Sequence, residues 1–151
     1  MATTRSSYRS NYITIGQPNA DTNYRTVRLP KTCVYRSLIL TNGIYETTDW
    51  YNNHSSLNGA QAPAHSDGIL RIVVSARDPG LPNWLDTAGY PTGIIQGRWT
   101  DCSSQPVPTV RKVAISDVAK SLPASTPRIS PQERDKVTLD RRARAMGNNS
   151  R

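Results

Sequence analysis

Short runs of β-branched and aromatic residues recur along the chain and constrain its fold more than any other feature. Polar and apolar residues alternate in several of these runs, as in Tyr24–Leu29 and Val110–Ile115. Alternation indicates strands with one buried and one exposed face, which is typical of antiparallel sheets. We therefore predict a mainly β domain. Its strands are expected at Tyr12–Ile15, Tyr24–Leu29, Cys33–Leu40, Ile69–Ser75, Thr92–Trp99 and Thr109–Ile115.

Dipeptides that favour tight turns lie between these runs. Asn42-Gly43 and Asp67-Gly68 can supply the positive φ that a two-residue hairpin turn requires. Asp78-Pro79-Gly80 combines a preset φ at proline with a flexible glycine. We predict hairpins at the Asn-Gly and Asp-Gly pairs.

Two helices are predicted after the last strand. Ser116 can cap a short helix over Asp117–Ser121. The second helix, over Pro131–Met146, begins with the capping box Ser130–Glu133 and ends before Gly147, which suits a left-handed cap. Its apolar residues form only a thin stripe. We therefore expect this helix either to lie loosely on the surface or to dock onto a partner absent from the chain.

The basic charge is concentrated at the two ends of the chain. The formal net charge is +8, to which residues 1–36 and 120–151 each contribute +5 and residues 37–119 contribute −2. Nucleic-acid-binding domains instead place positive charge on a folded face, with stackable aromatic residues among it. This distribution disfavours nucleic acid as a partner.

Composition also predicts the domain organisation. We expect a disordered N-terminal arm at residues 1–10, a β-sandwich domain at 11–122, and a linker, helix and frayed tail at 123–151. No apolar run is long enough to span a membrane, and the N-terminus lacks the apolar centre of a secretory signal. We therefore predict a cytoplasmic protein. The two cysteines, Cys33 and Cys102, leave the presence of one disulfide open.

The segment Ser75–Gly89 is the first candidate site. It combines two carboxylates, an arginine, a tryptophan and two prolines that restrict the backbone. A rigid loop of this composition suits a ligand surface built from Arg77, Asp78, Trp84 and Asp86. The alternative is structural: a buried Trp84 anchors the connection, Asp78 and Asp86 cap turns, and Arg77 pairs with one of them.

The segment Thr47–Asn58 is the second candidate. Aromatic faces stack on sugar rings while Asp and Asn side chains bind neighbouring hydroxyls, so Asp49, Trp50, Asn52 and His54 have the composition of a carbohydrate site. The alternative is a polar turn with a buried Trp50. No spacing rule distinguishes the two interpretations.

Most classes of catalysis find no support in the sequence. A serine triad lacks its nucleophile elbow, and the spacing of His54 and His65 matches no metal motif. The chain also lacks a phosphate-binding glycine loop and a dinucleotide fingerprint, so we predict no metal and no cofactor. Two carboxylates beside a cleft could still serve as acid and base in hydrolysis. The candidates for that pair are Glu46, Asp49, Asp78 and Asp86.

Several motifs taken together resemble those of a bacterial family. They are Asp49–Asn58, Asp67-Gly68, Val73–Gly80, Asn83–Gly89, Gly97-Arg98-Trp99 and the tail Leu122–Arg134. The pattern resembles the "one-two-one-four" domain of unknown function, a C-terminal β-sandwich domain of longer uncharacterised proteins. The resemblance implies an antiparallel jelly-roll-like sandwich and a large preceding domain. Tyr90 departs from the pattern, which has a polar or basic residue there.

The strand pattern predicts an antiparallel sandwich with a short C-terminal helix, and the resemblance implies that this sandwich is jelly-roll-like. The expected function is a non-enzymatic ligand-binding or accessory interaction module whose ligand is a small molecule, with a carbohydrate as one candidate. A missing N-terminal domain or a partner protein could complete the site. The alternative function is a carboxylate-dependent hydrolase that acts on a glycoside or a similar small substrate.

Overall fold

The computed structural model describes residues 9–15 and 21–148, which form two four-stranded sheets and a C-terminal α-helix. The strands are β1 Arg9–Ile15, β2 Asp21–Arg28, β3 Cys33–Thr41, β4 Ser56–Asn58, β5 Ile69–Ser75, β6 Trp84–Asp86, β7 Gly93–Cys102 and β8 Thr109–Ala114, and the helix is α1 Pro131–Asn148. The first sheet has the order β1-β7-β3-β4, and the second has the order β6-β5-β2-β8. The prediction of a mainly β chain with a C-terminal helix is confirmed.

All six predicted strands are present, with ends that differ by a few residues. Sequence analysis missed β4 and β6, because a three-residue strand is too short to show alternation. These two strands lie within the two candidate site segments and form one edge of each sheet. The pairing of β5 with β6 is parallel, with Val73 opposite Trp84, so the expectation of purely antiparallel sheets was wrong at this edge.

Neither dipeptide forms a two-residue hairpin between two strands, although both lie in turns. The Asn42-Gly43 loop is instead closed by an isolated antiparallel bridge between Thr41 and Thr47. Asn42 organises the loop after β3, where its Oδ1 accepts the backbone N–H groups of Ile44 and Glu46, both at 3.0 Å. Gly68 does adopt a positive φ of 74°. Its turn, however, leads from β4 in the first sheet to β5 in the second. The dipeptides predict local backbone geometry, whereas strand pairing depends on contacts between residues far apart in the sequence.

Side chains from both sheets pack into one core. Its largest fully buried members include Leu40 of β3, Leu70 of β5 and Ile95 of β7. In β5, Ile72 and Val74 point into this core, whereas Val73 points to the opposite face of the strand. There it packs into a second, smaller core. The other members of the second core are Leu81, Trp84, Val118 and Leu122. The candidate loop before β6 therefore covers the outer face of the second sheet.

A disulfide joins β3 to β7. Cys33 and Cys102 lie directly opposite each other in the antiparallel register, with their Cα atoms 3.9 Å apart. The sequence left this pairing open, since two cysteines 69 residues apart give no information on register.

The capping box of α1 is confirmed. The backbone N–H of Ser130 donates to Glu133 Oε2 at 2.7 Å, and the N–H of Glu133 donates to Ser130 Oγ at 3.3 Å. The predicted end of the helix was wrong, because α1 continues through Gly147 to Asn148. Among the described glycines, Gly68, Gly80 and Gly89 have a positive φ and Gly147 does not, so the expected left-handed cap is absent at this position.

The short helix predicted at Asp117–Ser121 is instead a pair of 3₁₀ turns, Ile115–Asp117 and Ala119–Ser121. Neither turn has a side-chain cap, so the expected cap by Ser116 was also wrong. Most of the predicted arm, residues 1–8, lies outside the described residues, and its last two positions, Arg9 and Ser10, belong to β1. No helix within the described ranges has the length and apolar character that crossing a membrane requires.

Candidate functional site

The two candidate segments meet at His54. The backbone N–H of Asp86 donates to the His54 carbonyl at 2.9 Å. The imidazole stacks on the indole of Trp84, with ring centroids 6.1 Å apart and an interplanar angle of 8°, and its Nδ1 bonds to the Trp84 carbonyl oxygen. Burial lowers the pKa of His54 to about 4, so the ring is neutral at pH 7 and its Nδ1–H is the donor to that carbonyl.

The two tryptophans have different environments. Trp84 is 6% exposed, and its Nε1–H lies 3.0 Å from Ser75 Oγ and 3.1 Å from the Ser75 carbonyl oxygen, so it anchors the loop as the structural interpretation proposed. Trp50 is 40% exposed and meets Tyr51 edge to face, with centroids 6.4 Å apart. The alternative of a buried Trp50 was therefore wrong.

The one carboxylate of the second candidate segment, Asp49, is engaged in a local turn. Asn52 donates to Asp49 through Nδ2 at 2.7 Å and through its backbone N–H at 3.1 Å. These bonds to Asn52 hold the pKa of Asp49 below its ordinary value. Asp49 and Asn52 therefore bind each other, and the pair of free polar groups expected for a sugar is not presented.

The carboxylates of the first segment also cap turns. Asp78 accepts the N–H of Gly80 at 2.8 Å, and Asp86 accepts the N–H of Ala88 at 2.9 Å. Burial raises the pKa of Asp86 above its ordinary value. Arg77 is exposed, and the ion pair of Asp78 is made by Arg134 instead. The expected pairing of Arg77 was wrong. The helix brings Arg134 onto Asp78, and Arg134 takes the place of the neighbouring Arg77 as its partner.

Arg134 is the first buried residue beside the candidate segments that sequence analysis missed. Only 7% of it is exposed, and its Nε donates to Asp78 Oδ2 at 2.8 Å. Its guanidinium carbon lies 4.9 Å from the centroid of the Trp84 ring, and Nη2 donates to the Leu81 carbonyl. An ion pair, a cation–π contact and a hydrogen bond thus fix the first half of α1 onto the loop before β6. The expectation of a loosely attached helix was wrong.

Arg141 lies two turns further along α1 and is also 7% exposed. Its Nη1 and Nη2 donate to the hydroxyl and the carbonyl of Ser56 in β4, at 2.7 and 2.8 Å. Among the described residues, no carboxylate forms an ion pair with it. Burial, together with the nearby charge of Arg134, lowers the pKa of Arg141. The helix therefore brings a buried positive charge to the edge of the first sheet.

A cleft of about 280 Å³ lies between α1 and the loops that flank β4 and β6, and we call it the arginine cleft. Its lining residues are His54, Ala60, Gln61, Pro82, Ile129, Arg134, Val137, Asp140, Arg141 and Arg144. Asp140 pairs with Lys136 at 2.8 Å, as Arg134 does with Asp78. Because His54 is neutral, the two guanidinium groups of Arg141 and Arg144 leave the cleft positively charged.

The helical spacing carries a signal for this cleft. Residues 134, 137, 141 and 144 recur at intervals of three and four, which places them on one face of α1. Counting apolar residues alone predicts that this face of α1 is exposed to solvent. Arginine, however, can bury the aliphatic part of its side chain on a protein surface. Within the described ranges, no three His, Cys, Asp or Glu side chains come together as a metal site would require.

Comparison with known proteins relates this fold to two bacterial structures. The chain is similar to an uncharacterized protein from Burkholderia cenocepacia, with 26% identity and a TM-score of 0.70 over 74% of this chain and 31% of that one. A protein from Vibrio parahaemolyticus gives 18% identity and a TM-score of 0.52 over 70% and 30% of the two chains, which shows a similar fold alone. The chain thus spans about a third of the length of these solved structures. No family model and no curated protein matches it.

Proposed function

We propose that the chain is a non-enzymatic ligand-binding module that holds a small organic anion in the arginine cleft. The observation that carries the proposal is the burial of Arg141 without a carboxylate partner among the described residues. A buried charge without an opposite charge is unfavourable. An anion placed between Arg141 and Arg144 would supply that charge, and guanidinium groups bind carboxylates with two parallel hydrogen bonds.

The walls of the cleft favour an organic anion over an inorganic one. Pro82, Ile129 and Val137 supply apolar surface beside the two guanidinium groups. A volume of about 280 Å³ is enough for a small molecule but lies at the lower end of ligand pockets. A carboxylate on a single ring or a short chain has the matching size and polarity.

The test compares benzoate with benzamide, which has a similar shape but no charge, by isothermal titration calorimetry. We expect benzoate to bind more tightly, and Arg141→Gln to weaken benzoate binding about ten-fold or more, because a buried charged hydrogen bond is lost. Arg144→Gln should weaken it less, since Arg144 is exposed. Arg111→Gln is the control, because it removes the same charge from β8 at the opposite edge of the second sheet. Equal binding of the two probes, or an equal effect of Arg111→Gln, would refute the proposal.

The hydrolase alternative rests on one observation, the raised pKa of Asp86, which suits a general acid. A hydrolase would also need a second, free carboxylate, and Glu46, Asp49 and Asp78 all accept hydrogen bonds from other side chains. Asp86→Asn distinguishes the two functions. It should leave benzoate binding unchanged in the proposed module, whereas loss of a measurable glycosidase activity on this substitution would favour the hydrolase.

We also propose, separately from the anion site, a jelly-roll-like sandwich, the family resemblance and an additional domain, with a carbohydrate at Trp50 as the alternative ligand. The exposed face of Trp50 supports stacking on a sugar, and the shared core of the two sheets supports a sandwich. Because the chain spans only about a third of similar solved structures, a further domain or a partner protein could close the cleft. Binding of benzoate but not of neutral sugars would separate an anion site from a carbohydrate site.

A further inference from the structure

A second concave surface lies on the outer face of the first sheet. Leu38 and Leu40 of β3 point into the shared core, so the alternation of side chains places Tyr35, Ser37 and Ile39 on the opposite face. These three residues line a groove of about 340 Å³, which also takes lining residues from β4 and β7. The four residue steps from Tyr35 to Ile39 correspond to about 13 Å along the strand. We call this surface the sheet groove.

The strand register brings polar side chains together in the sheet groove. Asn58 of β4 and Arg98 of β7 lie opposite Ser37, while Gln96 of β7 lies opposite Ile39. Asn58, Gln96 and Arg98 all line the groove. Neighbouring strands are about 5 Å apart, and residues two positions apart on one strand are separated by about 7 Å. Hydrogen-bonding groups at these spacings can bind several hydroxyl groups of one saccharide.

The polar groups of the sheet groove are accessible to a ligand. Ser37 and Gln96 are partly exposed, and in the part of the chain that the structure describes their side chains form no hydrogen bond. Neither side chain has a buried, unpaired polar atom, so a ligand in the groove can reach both. The Oδ1 atom of Asn58 accepts the N–H groups of Ala60 and Gln61 at 3.0 and 3.1 Å. These bonds fix the orientation of the Asn58 amide, whose Nδ2 group remains to donate to a ligand.

The chemistry of the lining favours a neutral ligand that is rich in hydroxyl groups. Hydroxyl and amide side chains supply both donors and acceptors, and each sugar hydroxyl can also act as both. Arg98 is the one charged residue among the described residues that line the groove, and it has an interaction of its own. The described lining therefore presents no unpaired charge for an anion, in contrast to Arg141 in the arginine cleft.

Tyr35 adds an aromatic face to these polar groups. It is 44% exposed and lies at one end of the row of β3 residues that line the groove. Aromatic rings present a large, rigid apolar surface, on which the C–H face of a sugar can stack. Ile39 supplies a second apolar surface about 13 Å further along β3. This length suits two linked sugar rings better than one.

We infer that the sheet groove is a second ligand site, which binds a disaccharide unit of a neutral carbohydrate. One sugar ring stacks on Tyr35, and hydroxyl groups of the saccharide form hydrogen bonds with Ser37, Asn58 and Gln96. A concave site with apolar surface and a few convergent polar groups is typical of small-molecule binding. The inference is independent of the anion site, because none of these four residues lines the arginine cleft. Gln61 lines both surfaces and is therefore left unchanged in the test.

The probes are cellobiose, lactose, maltose and mannobiose, and their binding to the full chain is measured by isothermal titration calorimetry. We expect at least one of them to bind. Tyr35→Ala should weaken this binding about five-fold or more through the loss of the stacking surface, whereas Tyr35→Phe should retain most of it. Tyr90→Ala is the matched control, because Tyr90 is 43% exposed and lies outside the groove. Trp50→Ala should also have no effect, which separates the sheet groove from a carbohydrate site at Trp50.

Two polar variants test the hydrogen bonds. Gln96→Leu and Ser37→Ala should each weaken disaccharide binding about five-fold, the effect of one hydrogen bond. Gln132→Leu, at an exposed position of α1, is the control for Gln96→Leu and should change nothing. If Gln96→Leu does not fold, the smaller change Ser37→Ala decides the question.

The outcomes for the sheet groove and the arginine cleft are distinguishable. Tyr35→Ala should leave benzoate binding unchanged, so binding of a disaccharide without binding of benzoate would refute the anion site alone. No binding of any of the four disaccharides at about 10 mM would overturn the inference. Equal effects of Tyr35→Ala and Tyr90→Ala, or a loss of binding in Trp50→Ala alone, would overturn it as well.

Discussion

His54 makes the stability of the protein depend on pH. Its pKa is lowered to about 4, so between pH 6.5 and pH 4 the unfolded chain takes up a proton that the folded chain excludes. Stability is therefore full above pH 6.5 and falls as the pH decreases through this window. From the two pKa values we expect a loss of about 2 kcal/mol by pH 5. Urea unfolding followed by tryptophan fluorescence at pH 7.5, 6 and 5 would measure it.

The variant His54→Gln tests the assignment to this residue. Glutamine can still donate to the Trp84 carbonyl but does not titrate, so most of the pH dependence should disappear even if the variant is less stable at pH 7.5. Hydrogen-bonded Asp49 and Asp67 have lowered pKa values and therefore titrate below this window. Burial raises the pKa of Asp86, so its titration acts in the opposite sense and cannot cause a loss of stability as the pH falls. If His54→Gln showed the same loss of stability between pH 7.5 and pH 5, the titrating group would have to be another one.

At the level of single residues, the sequence predicted the local roles of several side chains but not their distant partners. Asp78 and Asp86 cap turns, as the structural interpretation proposed, because such caps depend on residues two positions away. The ion pair of Asp78 lies with Arg134, which is 56 residues away in the chain. The burial of Arg141 could not be predicted either, because it depends on the position at which α1 docks onto β4.

Among the elements, α1 depends most on a single side chain for its attachment. Arg134→Ala removes the ion pair with Asp78, the contact over Trp84 and the hydrogen bond to Leu81. Because Asp78 is partly exposed, we expect a loss of about 2 kcal/mol, below the range for a fully buried pair. Amide hydrogen exchange should show faster exchange throughout α1, and urea unfolding would give the free energy.

Lys136→Ala is the matched control for this prediction. It breaks the ion pair with Asp140 on the exposed face of the same helix, which should leave stability and hydrogen exchange nearly unchanged. If both variants had the same small effect, α1 would not be held by Arg134. A large effect of Lys136→Ala would indicate that the ion pairs along α1, rather than its docking through Arg134, control its stability.

Elements with their own local signal were predictable, and the others were not. The capping box located the start of α1, and alternation located β2 and β8, because both signals involve residues close together in the chain. In contrast, β4 and β6 consist of three residues each and exist because β3 and β5 offer free edges. Both missed strands border the candidate site, which is why the site could be suspected from its composition but not assembled.

For the molecule as a whole, the distribution of strands between the sheets could not be read from the sequence. Consecutive strands β1 and β2 lie in different sheets, and so do β4 and β5. The disulfide between Cys33 and Cys102 closes a loop of chain that contains strands of both sheets. It therefore restricts the unfolded state of the segment from β3 to β7, which holds five of the eight described strands.

The last prediction concerns this bridge. A crosslink that closes a loop of 69 residues is expected to contribute about 4 kcal/mol through the entropy of the unfolded chain. Dithiothreitol should therefore lower the urea midpoint of the parent protein. Cys33→Ser with Cys102→Ser should have the lower midpoint without reductant and no further response to it. Ellman's reagent should find no free thiol in the denatured, unreduced parent. Two reactive thiols there, or a midpoint insensitive to reductant, would show that the stability of the two sheets comes from their shared core alone.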